Sequence, residues 1–277
     1  MQRQRVVLDV DTGIDDALAL LYAVASPGLE LCGVTTVAGN VPVEVAARNS
    51  AAVLAHAGAG RVPVAVGASR TSTGDGPRAG ATNHGSDGLG GVRIATGPGP
   101  SALGVREVTV AARAGGPWTL VGLAPMTNVA HLAAAADTVL LVGGERVVEE
   151  PPEFNAGHDV AATQRALASG RPTTLYVIDV FERVAVPAED VERLRSSDRP
   201  AARLAGELLA VRRSRLIGDA GALVLLTHPH LFRVEPRRFG TVGPALTEAP
   251  DGRLLDVVVD VDAPAVARAY VDTLLQA

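Results

Sequence analysis

Lysine is absent from this chain of 277 residues, and all 25 basic residues are arginine. That excludes a Schiff-base lysine, the lysine of a phosphate-binding P-loop and any other catalytic side-chain amine. The same bias towards Arg, Ala and Val also matches a GC-rich coding sequence and has little mechanistic weight by itself. Cysteine occurs once, as Cys32. No internal disulfide can form, so the cytoplasm is the expected compartment. Cys32 stands in the apolar stretch 29–37, where a buried, inert thiol is expected. No apolar run approaches the ~20 residues a membrane span needs. The basic start Met1-Gln2-Arg3-Gln4-Arg5 runs straight into Val6-Val7-Leu8, with no signal-peptide core before it. Aromatic residues make up only 3% of the chain.

What remains is ample for a core. Apolar residues make up 47% and mean hydropathy is +0.23, so the chain is globular and not disordered. The net charge is −5, and the arginines are spread out apart from Arg212, Arg213 and Arg215. That distribution argues against a nucleic-acid partner.

Short apolar runs alternate with longer amphipathic ones. Strands are expected over 6–10, 29–37, 62–66, 118–123, 138–142, 173–180 and 254–261. Helices are expected over 15–26, 42–58, 101–114, 127–135, 159–168, within 187–226, and over 264–275. Alternation of this kind, with continuously apolar strands, predicts an α/β fold with an open, mostly parallel sheet and helices on both faces. Nothing divides the chain, so residues 1–277 read as a single domain. In such sheets ligands bind beyond the carboxyl ends of the strands. Two long connections, 67–100 and 143–157, have the length of active-site loops, and the first is expected to close over a ligand.

The segment Val6-Val7-Leu8-Asp9-Val10-Asp11-Thr12-Gly13-Ile14-Asp15-Asp16 ends a strand and opens a helix. Alternation puts Asp9 and Asp11 on one side, and Gly13 permits a sharp turn. Asp15 and Asp16 fall where free helical N–H groups favour anions. A simple helix cap accounts for one or two of these carboxylates and not for four. A hard divalent cation with oxygen ligands accounts for all of them.

The segment Asp9-Val10-Asp11-Thr12-Gly13-Ile14-Asp15-Asp16 resembles the D-x-D-P-G-x-D-D start of the inosine–uridine type nucleoside hydrolases, with Thr12 in place of proline. Further motifs follow in order. Thr35-Thr36-Val37-Ala38-Gly39-Asn40 resembles T-T-x-x-G-N, and His84-Gly85-Ser86-Asp87-Gly88-Leu89-Gly90 resembles H-G-x-D-G-L-G. Leu123-Ala124-Pro125-Met126-Thr127-Asn128 is similar to the G-P-L-T-N-type turn. Glu153-Phe154-Asn155 with Asp159 is similar to E-F-N-x-x-x-D, and Asp219 to a late aspartate. The resemblance spans 6 to about 226. It implies that Asp11, Asp16, the Thr127 carbonyl and Asp219 bind calcium. Asp15 and Asn40 would hold ribose hydroxyls, with Glu153 and Asn155 completing the sugar pocket. Asp11 would also take a proton from the metal-bound water. The implied reaction is hydrolysis of a ribonucleoside to ribose and free base, by a homo-oligomer (dimer or tetramer). Oxygen ligands and the lack of zinc-type His/Cys spacing agree with calcium.

Three departures stand out. Gly218 precedes Asp219 where the family commonly has a histidine that protonates the leaving base. No asparagine lies in the stretch 143–152, and few aromatics are available to stack on a base. His84 and His158 are candidate substitutes for the missing acid, with His84 favoured. The alternatives are a drifted member acting on a modified nucleoside or another N-riboside, and a riboside-binding protein without catalysis. Asp9-Val10-Asp11-Thr12 also resembles the D-x-D-x-T of haloacid-dehalogenase-type phosphatases. There, however, the threonine stands one place later, and such sites need a lysine.

Overall fold

Val6, Val7, Leu8 and Val10 are all buried, as a strand covered on both faces requires. They belong to the first strand in a computed structural model that describes residues 3–76, 83–95, 97, 99–146, 152–212 and 214–277. In chain order the first half comprises β1 (Gln4–Val10), α1 (Ile14–Ala25), β2 (Leu29–Thr36), α2 (Val43–His56), β3 (Val64–Val66), α3 (Val105–Ala114), β4 (Thr119–Gly122), α4 (Val129–Leu132) and β5 (Thr138–Val142). The second half comprises α5 (Phe154–His158), α6 (Val160–Leu167), β6 (Thr173–Tyr176), α7 (Ile178–Phe181), α8 (Ala188–Arg195), α9 (Pro200–Val211), α10 (Ala220–Thr227), β7 (Phe232–Val242), β8 (Ala245–Glu248), β9 (Arg253–Val261) and α11 (Ala263–Gln276).

The strands form one nine-stranded sheet in the order β3-β2-β1-β4-β5-β6-β9-β7-β8. Pairing is parallel from β3 through β9, and antiparallel for β9–β7 and β7–β8. The chain therefore winds outwards from β1 to β3, then returns to the other side of β1 to place β4. Right-handed crossovers turn that reversal into helices on both faces. On one face α1 packs against α2, α9, α10 and α11. On the other, α3 lies on β1, β2 and β3, and α4 packs against α6. The crevice between the carboxyl ends of β1 and β4 is the switch point at which such sheets take their ligands. Leu123 N–H reaches across it to the Asp9 carbonyl at 2.9 Å.

Several expectations need correction. The strand expected over 173–180 stops at Tyr176, where its pairing with Val142 of β5 and Val258 of β9 ends. Residues 178–181 then turn into α7. The hairpin of β7 and β8 is absent from the sequence reading. Phe232–Val242 carries four charged residues and Pro236, and much of it is exposed, so no apolar run announces it. Cys32 is half-buried and not fully buried. β3 pairs with β2 only from Val34 onwards, which leaves the start of β2 uncovered. Burial still pushes its thiol above the ordinary range, in keeping with an inert role.

The core and the surface of the sheet differ enough to test. Leu120, fully buried in the middle of β4, is expected to lose about 2–5 kcal/mol of stability on replacement by alanine. Leu254, 64% exposed on β9, should lose less than about 0.5 kcal/mol. Urea unfolding of both variants checks this, and equal losses would contradict the layer arrangement.

Candidate active site

Beyond β1, the chain places its aspartates one after another on different partners. Asp9 Oδ1 accepts hydrogen bonds from Thr35 Oγ1 at 2.5 Å and Asn128 Nδ2 at 2.8 Å. Asn128 also donates to the Thr36 carbonyl and accepts from the Ala68 N–H, so one side chain joins β1, β2 and the segment after β3. Burial pushes the Asp9 carboxyl up to about 7, against the pull of the Thr35 and Asn128 hydrogen bonds. Asp9 is thus a structural anchor, and the side chains whose oxygens converge lie further on.

Asp11 is gripped by Asn40. Its Oδ2 accepts the Asn40 backbone N–H at 2.6 Å and its Oδ1 accepts the side-chain amide at 3.1 Å. Burial, with the nearby charge of Asp15, raises Asp11 to about 7 although the Asn40 N–H works against it. Asp16 is the third residue of α1 and reaches back over the helix start. Its Oδ2 accepts the Gly13 N–H at 2.9 Å and its Oδ1 the Asp11 N–H at 3.3 Å. The capping explanation therefore applies to Asp16 without exhausting the cluster. Asp16 and Asp219, which immediately precedes α10, are both held well above the usual carboxylate range. Burial is the first cause in each, and the other aspartates are the second.

Asp15 behaves oppositely. Burial pushes it up, but the Arg212 guanidinium and further neighbours outweigh this and hold it below its usual value. Arg212 Nη1 lies 3.2 Å from Asp15 Oδ2, with its side chain only 11% exposed. One oxygen each from Asp15, Asp16 and Asp219 fall within 4.8 Å of one another. Asp15 Oδ1 and Asp219 Oδ1 are buried without a hydrogen-bond partner. An all-oxygen donor set with orphaned buried oxygens suits a hard divalent cation. Asp11 adjoins the three through its N–H bond to Asp16.

Two glycines shape the space around Asp15. Gly13 has φ −87°, so it is not there for a left-handed turn. A Cβ on it would lie 2.8 Å from His84 Nδ1, and its role is to admit that ring. His84 is buried, accepts the Ile14 N–H on Nδ1 at 3.1 Å, and has the same nitrogen 3.6 Å from Asp15 Oδ1. That nitrogen therefore faces both the amino end of α1 and the Asp15 carboxylate. Gly218 has φ +54°, and a Cβ there would stand 2.7 Å from both Asp15 Cβ and Phe181 Cζ. His158 ends α5 beside Phe154, with ring centroids 5.3 Å apart.

The remaining predicted residues line the ends of β4 and β5. Asn155 donates to the Leu123 and Val142 carbonyls. Glu153 caps α5, accepting from the N–H groups of Asn155, Ala156 and Gly144. Thr127 is buried in the turn after β4 and donates its hydroxyl to Asp159 at 2.9 Å. Asp159 also accepts the N–H and hydroxyl of Ser72, both at 2.6 Å, tying down the start of the long loop. Residues 77–82, 96 and 98 of that loop and 147–151 of the other lie outside the described residues. Sequence reasoning missed Arg212. The sequence shows it only as one of the cluster Arg212, Arg213 and Arg215, and its reach depends on where α9 ends.

Residues 6–268 match the family model described as inosine-uridine preferring nucleoside hydrolase. The chain is 34% identical to the pyrimidine-specific ribonucleoside hydrolase RihA of Photobacterium profundum, over 74% of this chain and 70% of that protein. It is 33% identical to RihA of Shewanella baltica, over 74% and 69% respectively. The solved structure of a purine-preferring ribonucleoside hydrolase from Gardnerella vaginalis superposes with a TM-score of 0.89 at 24% identity. The match covers 99% of this chain and 98% of that one, which shows the shared fold.

The raised carboxyls set a pH dependence. Asp9 and Asp11 stand near 7 in the fold against 3.8 in an unperturbed chain. Folded protein therefore holds their protons more tightly. The stability this contributes is fully present below about pH 4 and is lost as pH rises through about 7. The melting temperature of chelator-treated protein should fall across that window, and Asp9→Asn should flatten part of the fall. Rising stability over the same range would contradict the assignment.

Proposed function

Because the chain belongs to the inosine–uridine preferring nucleoside hydrolase family, we propose that it hydrolyses the N-glycosidic bond of ribonucleosides, releasing ribose and free base. The observation that carries this reading is the convergence of buried aspartates at the β1–β4 switch point, two of them with unpartnered oxygens. Breaking an N-glycosidic bond builds positive charge on the ribose in an oxocarbenium-like transition state. Fixed carboxylates beside that ring stabilise the charge as it forms.

Each side chain has a role that its surroundings favour. Asp11, aimed by two hydrogen bonds from Asn40, takes the proton from the attacking water. Asp15, kept ionised by Arg212, accepts from ribose hydroxyls, with Asn40 beside it. Glu153 and Asn155 complete the sugar pocket at the ends of β4 and β5. Asp11, Asp16, the Thr127 carbonyl and Asp219 would hold a calcium ion. When bound, such an ion lowers the pKa of a water and fixes sugar hydroxyls in place. His84, buried against Asp15, would be a hydrogen-bonding neighbour of the departing base. The RihA relatives are named as pyrimidine-specific, which makes uridine and cytidine the first substrates to try.

The test is ribose release from uridine, cytidine and inosine with calcium present. Asp11→Asn, which preserves the shape of the side chain, should lower the rate by about 10²–10⁴-fold. Chelation should abolish release, and added calcium should restore it. No ribose from any nucleoside would sink the reading.

A further inference from the structure

We propose that Arg212 receives the departing base, and that the site acts on ribosides whose base leaves as a delocalised ring oxyanion of the 2-oxopyrimidine type. This rests on the hydrolase reading above and deepens it. When the C1′–N bond breaks, its electron pair goes to the base, and something must meet that charge. A side chain at position 218 cannot do so, because Asp15 and Phe181 fill the space any Cβ would need. His84 has its Nδ1 taken up by the Ile14 N–H and the Asp15 carboxylate. The Tyr176 hydroxyl is buried without a hydrogen-bond partner. It lies against Gly221 in the first turn of α10.

A fixed cation is present instead. Arg212 ends α9 and touches Asp15 on Oδ2, while His84 approaches Oδ1 of the same carboxylate. The Cβ position of Gly218 lies 3.1 Å from that same Oδ2, so Arg212 and position 218 share Asp15 as a neighbour. Its acceptors among the described residues are Asp15 Oδ2 and the Leu216 carbonyl, both reached through Nη1. Nε and Nη2 keep their donors without a protein acceptor among the described residues. A guanidinium is planar and permanently charged, and it presents its N–H groups as a fork that fits a carbonyl or enolate oxygen.

The step balances without a general acid. The water oxygen bonds to C1′ and its proton passes to Asp11. The C1′–N bond breaks, and its electron pair spreads through the base ring onto the carbonyl oxygen beside the glycosidic nitrogen. Arg212 donates to that oxygen. The ring anion departs and takes a proton from solvent, and Asp11 returns its own proton to solvent. Charge stabilisation of this kind, in a site shielded from water, is worth far more than in bulk.

The experiment compares Arg212→Gln with the wild-type protein on uridine, 5-fluorouridine and p-nitrophenyl riboside, in calcium. Arg212→Lys, which keeps a positive charge beside Asp15, controls for folding. The glutamine variant should lose about 10²–10³-fold in kcat on uridine. It should lose less on 5-fluorouridine, whose base is a better leaving group, and least on the nitrophenyl riboside. A loss of equal factor on all three overturns the proposal, because it marks Arg212 as a counter-charge for Asp15 and nothing more. No loss on uridine overturns it too. Calorimetry supplies a readout that needs no turnover, using barbiturate, a ring anion of pyrimidine size, against neutral uracil. Wild-type protein should prefer barbiturate by at least about tenfold, and Arg212→Gln should lose that preference. Equal binding of the two rings by wild-type protein overturns the proposal. If no riboside is hydrolysed, the hydrolase reading fails, and the calorimetric comparison still decides the anion site separately.

Discussion

The constraint on which the rest of this structure depends is the mutual repulsion of aspartates that are buried together. Asp11, Asp15, Asp16 and Asp219 all lie out of water and close enough for each to perturb the others. Packing charges in this way is costly unless each finds compensation. The compensation is distributed over the fold. Asn40 holds Asp11, the amino end of α1 holds Asp16, and Arg212 holds Asp15. A doubly wound sheet suits this arrangement because its switch point brings separate strand ends, each with its own loop, to one crevice.

Much of this was legible in the sequence, for identifiable reasons. Val6–Val10 and Thr138–Val142 are continuous apolar runs, and continuous runs mean strands covered on both faces. The aspartates of the first loop sit within eight positions, so their proximity is guaranteed by the chain itself. Asp219 and Thr127 came from motif order. The antiparallel hairpin of β7 and β8 was not legible, because its residues alternate with arginines and glutamate on an open face. Arg212 was not legible either. Its contact with Asp15 joins residues far apart in the chain, and as one of the cluster Arg212, Arg213 and Arg215 it reads only as local basic charge. Gly13 was read correctly as special and for the wrong reason. The requirement came from the ring of His84, seventy-one positions away in sequence, and not from the turn.

Gly218 shows how closely the entry to α10 is built against Asp15. The backbone there is left-handed, Asp15 and Phe181 fill the space a Cβ would need, and Arg212 meets Asp15 from the end of α9. Any side chain at 218 would thus require moving Asp15 or Phe181 as well.

Asp159 has a consequence of a different kind. One carboxylate clamps Ser72 at the root of the long loop, the hydroxyl of Thr127 beneath the crevice, and the first turn of α6. The loop root and the turn after β4 are therefore fastened by the same bolt. Any excursion that lifts the loop away strips Asp159 of two of its four donors and leaves the Thr127 turn less firmly held. Entry to the crevice and the rigidity of its floor are in that sense one mechanical degree of freedom.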